Sequence, residues 1–532
     1  MTDTHSDDVA SVTFDQGDDS VVVIIGSGAG GGTLANELAQ KGVNVVVIEA
    51  GPRRKIADFV NDEHAAYDML TWHDRRTCTG NSPVVAKFPE APTWVAKGVG
   101  GTTQHWAGQA VRFQEHEFQA RSTYGEVPGA TLIDWPVSLD EMLPYYARAE
   151  DKMGVSGTHD MPHMPESNIA KVFMHGARRA GFKQVSQVNV AVNMVPRDGR
   201  NACDQIGFCM QGCKSGAKWS TLYTEIPKAE ETGRCEVRPE CMALEIQHDE
   251  GGKVIGVLYV DSAGAQQVQK ARVVCVAGNS VETPRILLQS ATSKFPDGLA
   301  NGSGHVGRNY MRNMFAFLYG IFDKPVNMHR GFIAPGIVRD EAGHDPSRGF
   351  PGGLYITGLG LGLPYHAAFL DPGAWGREFS ELIEGYQYTC GVAVLGEDMP
   401  MASNDVTLHP TDKDQHGLPV PVLNMDSHPT EFVLRNYGHK CATRILEAAG
   451  ARTIIECPPM PSTHNLGSCR MSVKPADGVC NGWGQTHDIA NLFISDGSQF
   501  SSNNAGNPTL TIVTLAIRQA EYIAEQMRKN EF

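Results

Sequence analysis

Three cysteines in the 15 residues from Cys203 to Ala217, CDQIGFCMQGCKSGA, stand at C-x5-C-x3-C, a spacing that suits thiolate ligation of iron. A single ferredoxin-type run reads C-x2-C-x2-C-x3-C, and Cys203, Cys209 and Cys213 fill three of its places while Ile206 takes the second. Three thiolates suit a three-iron four-sulfur (3Fe-4S) cluster better than a four-iron one. Gly207, Gly212 and Gly216 would let backbone N–H groups come close to the cluster sulfurs and tune the potential. The other reading is three small buried hydrophobes, and it gains from Lys214, which stands where a proline often follows the last ligand.

A second constellation lies near the start of the chain. Ser20 to Ile25, SVVVII, is a β-branched run of the kind buried in a parallel sheet, and it leads into GSGAGGGTLANELAQKG and then NVVVIEAG. This predicts strand, helix, strand. Gly26, Gly28 and Gly31 have the GxGxxG spacing: a tight turn, close approach of backbone to a pyrophosphate, and contact between helix and strand. Glu49 ends the second strand 18 residues beyond Gly31, where a carboxylate accepts hydrogen bonds from ribose hydroxyls. The unit reads as a Rossmann-type dinucleotide site, and its spacing does not separate NAD from FAD.

The elements that position these residues need a large frame, and 532 residues fit two or three domains. With 41% hydrophobic and 20% charged residues the chain is globular in composition, apart from a polar, acidic lead-in over residues 1–18 that we expect to be mobile. A net charge of -15 opposes binding to nucleic acid or anionic lipid. No apolar run reaches bilayer length; the longest, GLGLGLPYHAAFL, is broken by glycine and proline. The N-terminus shows no basic segment followed by an apolar one, which predicts synthesis and folding in the cytoplasm. The 12 cysteines are scattered too widely for a disulfide scaffold.

Four further segments, GVGGTTQHWAG, GNSVETPRILLQS, STHNLGSCRM, and NLFISDGSQF followed by GNPTLTIVTLAIRQAEYI, resemble the glucose-methanol-choline oxidoreductase family from end to end. Ala291 stands where that family usually has glycine, and in VGRNYMRN Arg312 and Asn313 replace its usual Asp-His. The resemblance implies FAD in an elongated pocket, an antiparallel-sheet substrate domain over the flavin ring, and oxidation of an alcohol. GGTT-x-HW, C-x5-C-x3-C and HNLG together most resemble the large subunits of bacterial sugar and polyol dehydrogenases, while GNPTLT also resembles pyranose oxidases.

By the same resemblance, His464 is the base for the substrate hydroxyl and Asn507 its partner across the substrate oxygen. An imidazole near neutral pKa accepts a proton, and an amide donates to the oxygen and fixes it. Gly100, Gly101, Thr102 and Thr103 form a second glycine turn beside the flavin. His105 matches the histidine that carries the flavin covalently in pyranose oxidases, or is a non-covalent neighbour of the ring edge. Asp496 is implied at the FAD ribityl and pyrophosphate region, with helix capping as a compatible second role. Thr509 is a further cofactor contact, at the start of TLTIVTLAIRQAEYIAEQMRK. That segment has near-helical apolar spacing and is predicted to aim its N-terminal dipole at the flavin.

The chain order predicts an FAD-binding domain from residues 19–160, 217–312 and 464–532, a cysteine-containing insert at 161–216, and a substrate domain at 313–463. The leading functional expectation is a dehydrogenase that passes electrons through the cluster to an outside acceptor such as a cytochrome c. An oxidase using oxygen and a catalytically silent flavin subunit are the alternatives. Related large subunits ride with a small partner carrying an export signal, so a periplasmic site is the alternative to the cytoplasm.

Overall fold

In a computed structural model of the chain, which describes residues 12–67, 69–87, 93–371 and 373–532, the β-branched runs form one parallel sheet. Its order is Leu492–Ile494, Val273–Val276, Val22–Ile25, Val45–Ile48 and Cys235–Arg238. Every side chain of Val22–Ile25, Val45–Ile48 and Val273–Val276 is buried, as an apolar run without alternation requires of a sheet covered on both faces. Helices Ala29–Gln40 and Thr509–Arg528 supply Leu34, Leu38, Ala520 and Ile523 to the core on one side. A three-stranded antiparallel sheet, Met242–His248, Val254–Val260 and Gln266–Lys270, contributes Ile246, Val254 and Val257 to the core on the other.

A six-stranded antiparallel sheet forms the second layer, in the order Thr453–Glu456, Met314–Ile321, Thr389–Gly396, Leu354–Leu359, Gly336–Val338 and Val185–Gln187. Helices Asn168–Arg179 and Pro429–Ala449 close one face of it. They cross so tightly that a Cβ on Gly176 would lie 2.4 Å from the carbonyl of Ile445, and one on Gly438 2.6 Å from Val394 Cγ1. The other face turns towards the parallel sheet.

The 161–216 segment is more than a cysteine insert, because helix Asn168–Arg179 and strand Val185–Gln187 build the antiparallel layer. The expectation of a mobile lead-in also needs correction. Residues 1–11 lie outside the described residues, but Phe14 is anchored: its N–H donates to Glu236 Oε2 at 2.8 Å and its carbonyl accepts from Arg238 at 3.0 Å.

Candidate functional site

The GxGxxG glycines divide three tasks among them. Gly26 has φ +96°, and a Cβ there would meet the Ala277 carbonyl at 2.5 Å. A Cβ on Gly31 would lie 2.0 Å from the Gly26 carbonyl, so this position lets helix and turn touch. Gly28 differs: it caps helix Ala29–Gln40, and its nearest obstacle to a Cβ is Gly101 Cα at 3.9 Å. Its space opens into a cavity of about 330 Å³ lined by Gly26, Gly28, Glu49, Gly101, Thr102 and Thr103, and further along by His105, His464, Asp496, Asn507 and Thr509. A helix N-terminus on a cavity is where a phosphate is held.

Glu49 is buried, and burial raises its pKa against four donors that lower it. Oε2 accepts from the N–H and hydroxyl of Ser27 at 3.1 and 2.6 Å, and Oε1 from the N–H groups of Gly51 and Gly98 at 3.0 and 3.3 Å. With about four lone-pair sites so occupied, the Ser27 hydroxyl is the donor that a ribose hydroxyl would replace. Asp496 is likewise held from both sides. Its Oδ2 accepts from Asn279 N–H at 2.8 Å and Thr283 Oγ1 at 2.5 Å, and its Oδ1 caps the short turn Gly497–Gln499 through Ser498 N–H at 2.8 Å. The capping role thus falls on that turn and not on the C-terminal helix.

The second glycine turn, Gly101–Gln104, follows Gly100 at φ +99° and ends on His105. Thr103 Oγ1 bonds the Gly100 carbonyl at 2.5 Å and Ser220 Oγ at 2.8 Å, which pins the turn. Gly100, whose N–H donates to Ser27 Oγ at 3.0 Å, stands behind the cavity wall. His105 lines the cavity fully buried, with neither ring nitrogen hydrogen-bonded, and burial followed by the Lys218 charge pushes its pKa down to about 3. A buried imidazole with two unmet nitrogens costs stability unless a ligand meets it, and this is the feature that best fits a bound flavin here.

His464 sits at the far end, half-buried, and desolvation pushes it down to about 3, so it is neutral at physiological pH. Its Nδ1 lies 2.8 Å from Asn313 Oδ1, and its Nε2 lies 3.0 Å from Asn507 Nδ2. The orientation of Asn313 is set independently: Nδ2 donates to the carbonyls of Asn504 at 2.5 Å and Gly396 at 3.4 Å. With its amide oxygen thereby aimed at the imidazole, Nδ1 carries the hydrogen and Nε2 keeps its lone pair. Glu117 sets the loop that presents Asn507, since its Oε1 accepts Ala505 N–H at 2.8 Å. Phe315 packs edge-on against the imidazole, centroids 5.1 Å apart.

The cysteine loop borders the same cavity through Met210, next to Ile333 of a separate segment. Gln205, Gly207, Phe208, Gly212 and Gly216 all have positive φ, the winding that lets short loops turn amides inward. The amide that reaches a sulfur is not a glycine's own. Lys218 N–H donates to Cys213 Sγ at 3.3 Å. Burial pushes the Cys203 and Cys209 thiols up to about 11 and 12. Beneath them the buried Lys218 ammonium donates to the carbonyls of Gln104 at 3.0 Å, Trp106 at 2.7 Å and Cys209, tying the loop to the turn that carries His105. Among the described residues the three sulfurs do not converge within 4.8 Å as ligands of one ion would, a spacing that a multi-iron cluster does not require.

The parallel sheet, the glycine turn and the dry histidine define a dinucleotide-dependent oxidoreductase. Residues 81–314 and 400–516 match GMC oxidoreductase, residues 24–65 match the NAD(P)-binding Rossmann-like domain, and the chain belongs to the GMC oxidoreductase family. It is an FAD-dependent, alcohol-type oxidoreductase. The chain is 31% identical to 2-methyl-1,2-propanediol dehydrogenase of Mycolicibacterium austroafricanum, covering 96% of each chain. It is 29% identical to the fructose dehydrogenase large subunit of Gluconobacter japonicus, covering 96% of this chain and 98% of that one. The fold resembles formate oxidase from Aspergillus oryzae RIB40 with a TM-score of 0.66 at 14% identity, covering 98% of this chain and all of the other (100%). Among the described residues no helix is long and apolar enough to cross a membrane.

Sequence reasoning did not assign roles to Lys218, Glu117 and the cavity-facing aromatics. It noted Asn313 only as a departure from the family pattern, and that departure was the available signal.

Proposed function

We propose that the chain oxidises an alcohol carbon, with His464 taking the hydroxyl proton and the electrons leaving one at a time through an iron–sulfur cluster on Cys203, Cys209 and Cys213. The observation that carries this reading is the directed chain Asn313, His464, Asn507, which leaves the Nε2 lone pair facing an amide donor in the cavity. A substrate hydroxyl entering between the two gives its proton to Nε2 and accepts the Asn507 N–H through its oxygen. Burial makes the resulting imidazolium costly, and Asn313 Oδ1 on the Nδ1–H side offsets part of that cost. The Gly26–Gly31 turn, Glu49, the Gly100–Thr103 turn, Asp496 and Thr509 would hold FAD, which would supply the hydride acceptor when bound.

The cluster reading is supported by the C-x5-C-x3-C spacing, by the Lys218 N–H that reaches Cys213 Sγ, and by a loop that the Lys218 side chain joins to the flavin turn. Hydrogen bonds to the sulfurs and a nearby cation favour the reduced, more negative cluster. The relative named as a large subunit supports a small partner subunit and a cytochrome acceptor, and a signal-bearing partner would carry the chain to the periplasm. The oxidase alternative rests on the pyranose-oxidase-like GNPTLT segment, and His105 is the candidate for covalent attachment.

One set of measurements tests this reading: iron, sulfide and FAD content with an electron paramagnetic resonance spectrum of anaerobically purified protein. A signal near g of about 2 with about three irons per flavin is expected. Iron-free protein that turns over alcohols and releases hydrogen peroxide would establish the oxidase instead. Flavin retained with the protein after acid precipitation would assign the covalent link.

A further inference from the structure

The cavity roof is written by strand register. Met314–Ile321 and Leu354–Leu359 both pair antiparallel with Thr389–Gly396, so directly opposite residues share a face. One row runs Phe317, Ala393, Thr357, and the row nearer His464 opens with Phe315 opposite Leu395. Leu359, two residues beyond Thr357, continues the same face. The intervening residues point to the helices, as the contact of Gly438 with Val394 shows. Of the roof side chains that line the cavity, Thr357 alone is polar. The flanks add Leu361, Phe369 and Met460 together with the polar Gln109, Ser462 and Thr463, and the Ser462 hydroxyl already accepts the N–H of His464 at 3.2 Å.

An aldohexose or a hexitol brings four or five hydroxyls besides the one that reacts. Each needs a partner when it leaves water, because an unmet hydroxyl forfeits its hydration. Sites that select sugars therefore carry a fan of amides, carboxylates and indole N–H groups, and this roof offers one threonine. What it offers in quantity is aromatic and aliphatic contact, which rewards carbon.

We infer that the substrate is an alcohol with an apolar body, alkyl or aryl, presenting a single CH–OH to His464, and that sugars and higher polyols are excluded. The inference rests on the alcohol-oxidation reading above and narrows it. A wall of this kind separates ligands by about 10- to 200-fold for each well-packed carbon group, so the preference over a hexose is expected to exceed 100-fold.

The test uses the holoenzyme in anaerobic stopped flow, with flavin bleaching followed for 1-hexanol and benzyl alcohol against glucose and sorbitol. A reduction rate per substrate concentration at least 100-fold higher for one of the apolar alcohols supports the inference. Equal or faster reduction by glucose or sorbitol overturns it and leaves alcohol oxidation standing. If dithionite bleaches the flavin and no alcohol of either class does, the alcohol-oxidation reading falls as well. A binding readout avoids turnover: 2-phenyl-2-propanol, which has no carbinol hydrogen, should bind by calorimetry with a negative heat-capacity change that methyl glucoside does not show. Phe317→Leu, which keeps an apolar wall, should hold the preference, and Phe317→Asn should cut reduction by benzyl alcohol at least tenfold. A Phe317→Asn variant that bleaches as fast as wild type would count against the roof as the selecting surface.

Discussion

The two ends of the flavin cavity are built on opposite plans. Around His464 the hydrogen bonds all donate in one direction, from Asn507 to the imidazole, from the imidazole to Asn313 and from Asn313 to the backbone carbonyls. Around Cys203, Cys209 and Cys213 the backbone is wound through five positive-φ residues, Ile206 is 44% exposed, and the Lys218 N–H donates to the Cys213 sulfur. On the proposed reading, the first end would serve a proton that must go to a single atom. The second would serve electrons that must reach the surface, for which proximity matters more than hydrogen-bond geometry.

Breaking the proton end should have the largest effect. His464→Ala is expected to lower kcat/KM by about 10²- to 10⁴-fold with FAD content unchanged, measured by anaerobic flavin reduction. Breaking the other end should separate the half-reactions: Cys209→Ser loses iron, and turnover with a one-electron acceptor falls at least about 100-fold, while flavin reduction by substrate stays within twofold (about) of wild type. Equal losses in both half-reactions would mean that the two ends are not distinct.

Asn313→Asp sharpens the comparison. A carboxylate at Nδ1 stabilises the imidazolium and raises the His464 pKa from about 3. Since the base works only when neutral, the acid limb of the kcat/KM profile should move up by about 1 to 3 pH units, with activity at about pH 4 to 5 down by about 10-fold or more and activity above about pH 7 little changed by protonation. Wild type should show no acid limb from His464 above about pH 4, because desolvation holds the imidazole down at about 3. The smallest effect is expected between the ends. Gly28→Ala places a Cβ where the nearest protein atom is 3.9 Å away, so the fold survives while FAD affinity drops by roughly tenfold, a loss of about 1.4 kcal/mol. The corresponding Gly31→Ala, 2.0 Å from a carbonyl, should instead impair folding.

What was legible in the sequence was local. The β-branched runs, the glycine spacing and the helix from Thr509 to Arg528 declare themselves within a few residues, since strand burial and turn conformation are set by near neighbours. His464 and Asn507 were legible only through the segments around them. Their connection was not: Asn313 lies 151 positions from His464 and meets it because the end of strand Met314–Ile321 reaches the cavity. The apolar roof was hidden for a similar reason, because Phe317, Ala393 and Thr357 become one surface only when the register is known. The sulfur-bonding amide of Lys218 comes from outside the cysteine run, and no spacing within it points to it.

The order in which the cavity walls leave the ribosome carries its own consequence. Gly26 and Glu49 emerge early, but the edge strand Leu492–Ile494 and the helix beginning at Thr509, which complete the sheet and close the cavity, emerge last. The seat of the cofactor is therefore complete only when residues 26–30 and residues 496–512 have both been made, so FAD binding draws on segments from the two ends of the sequence at once.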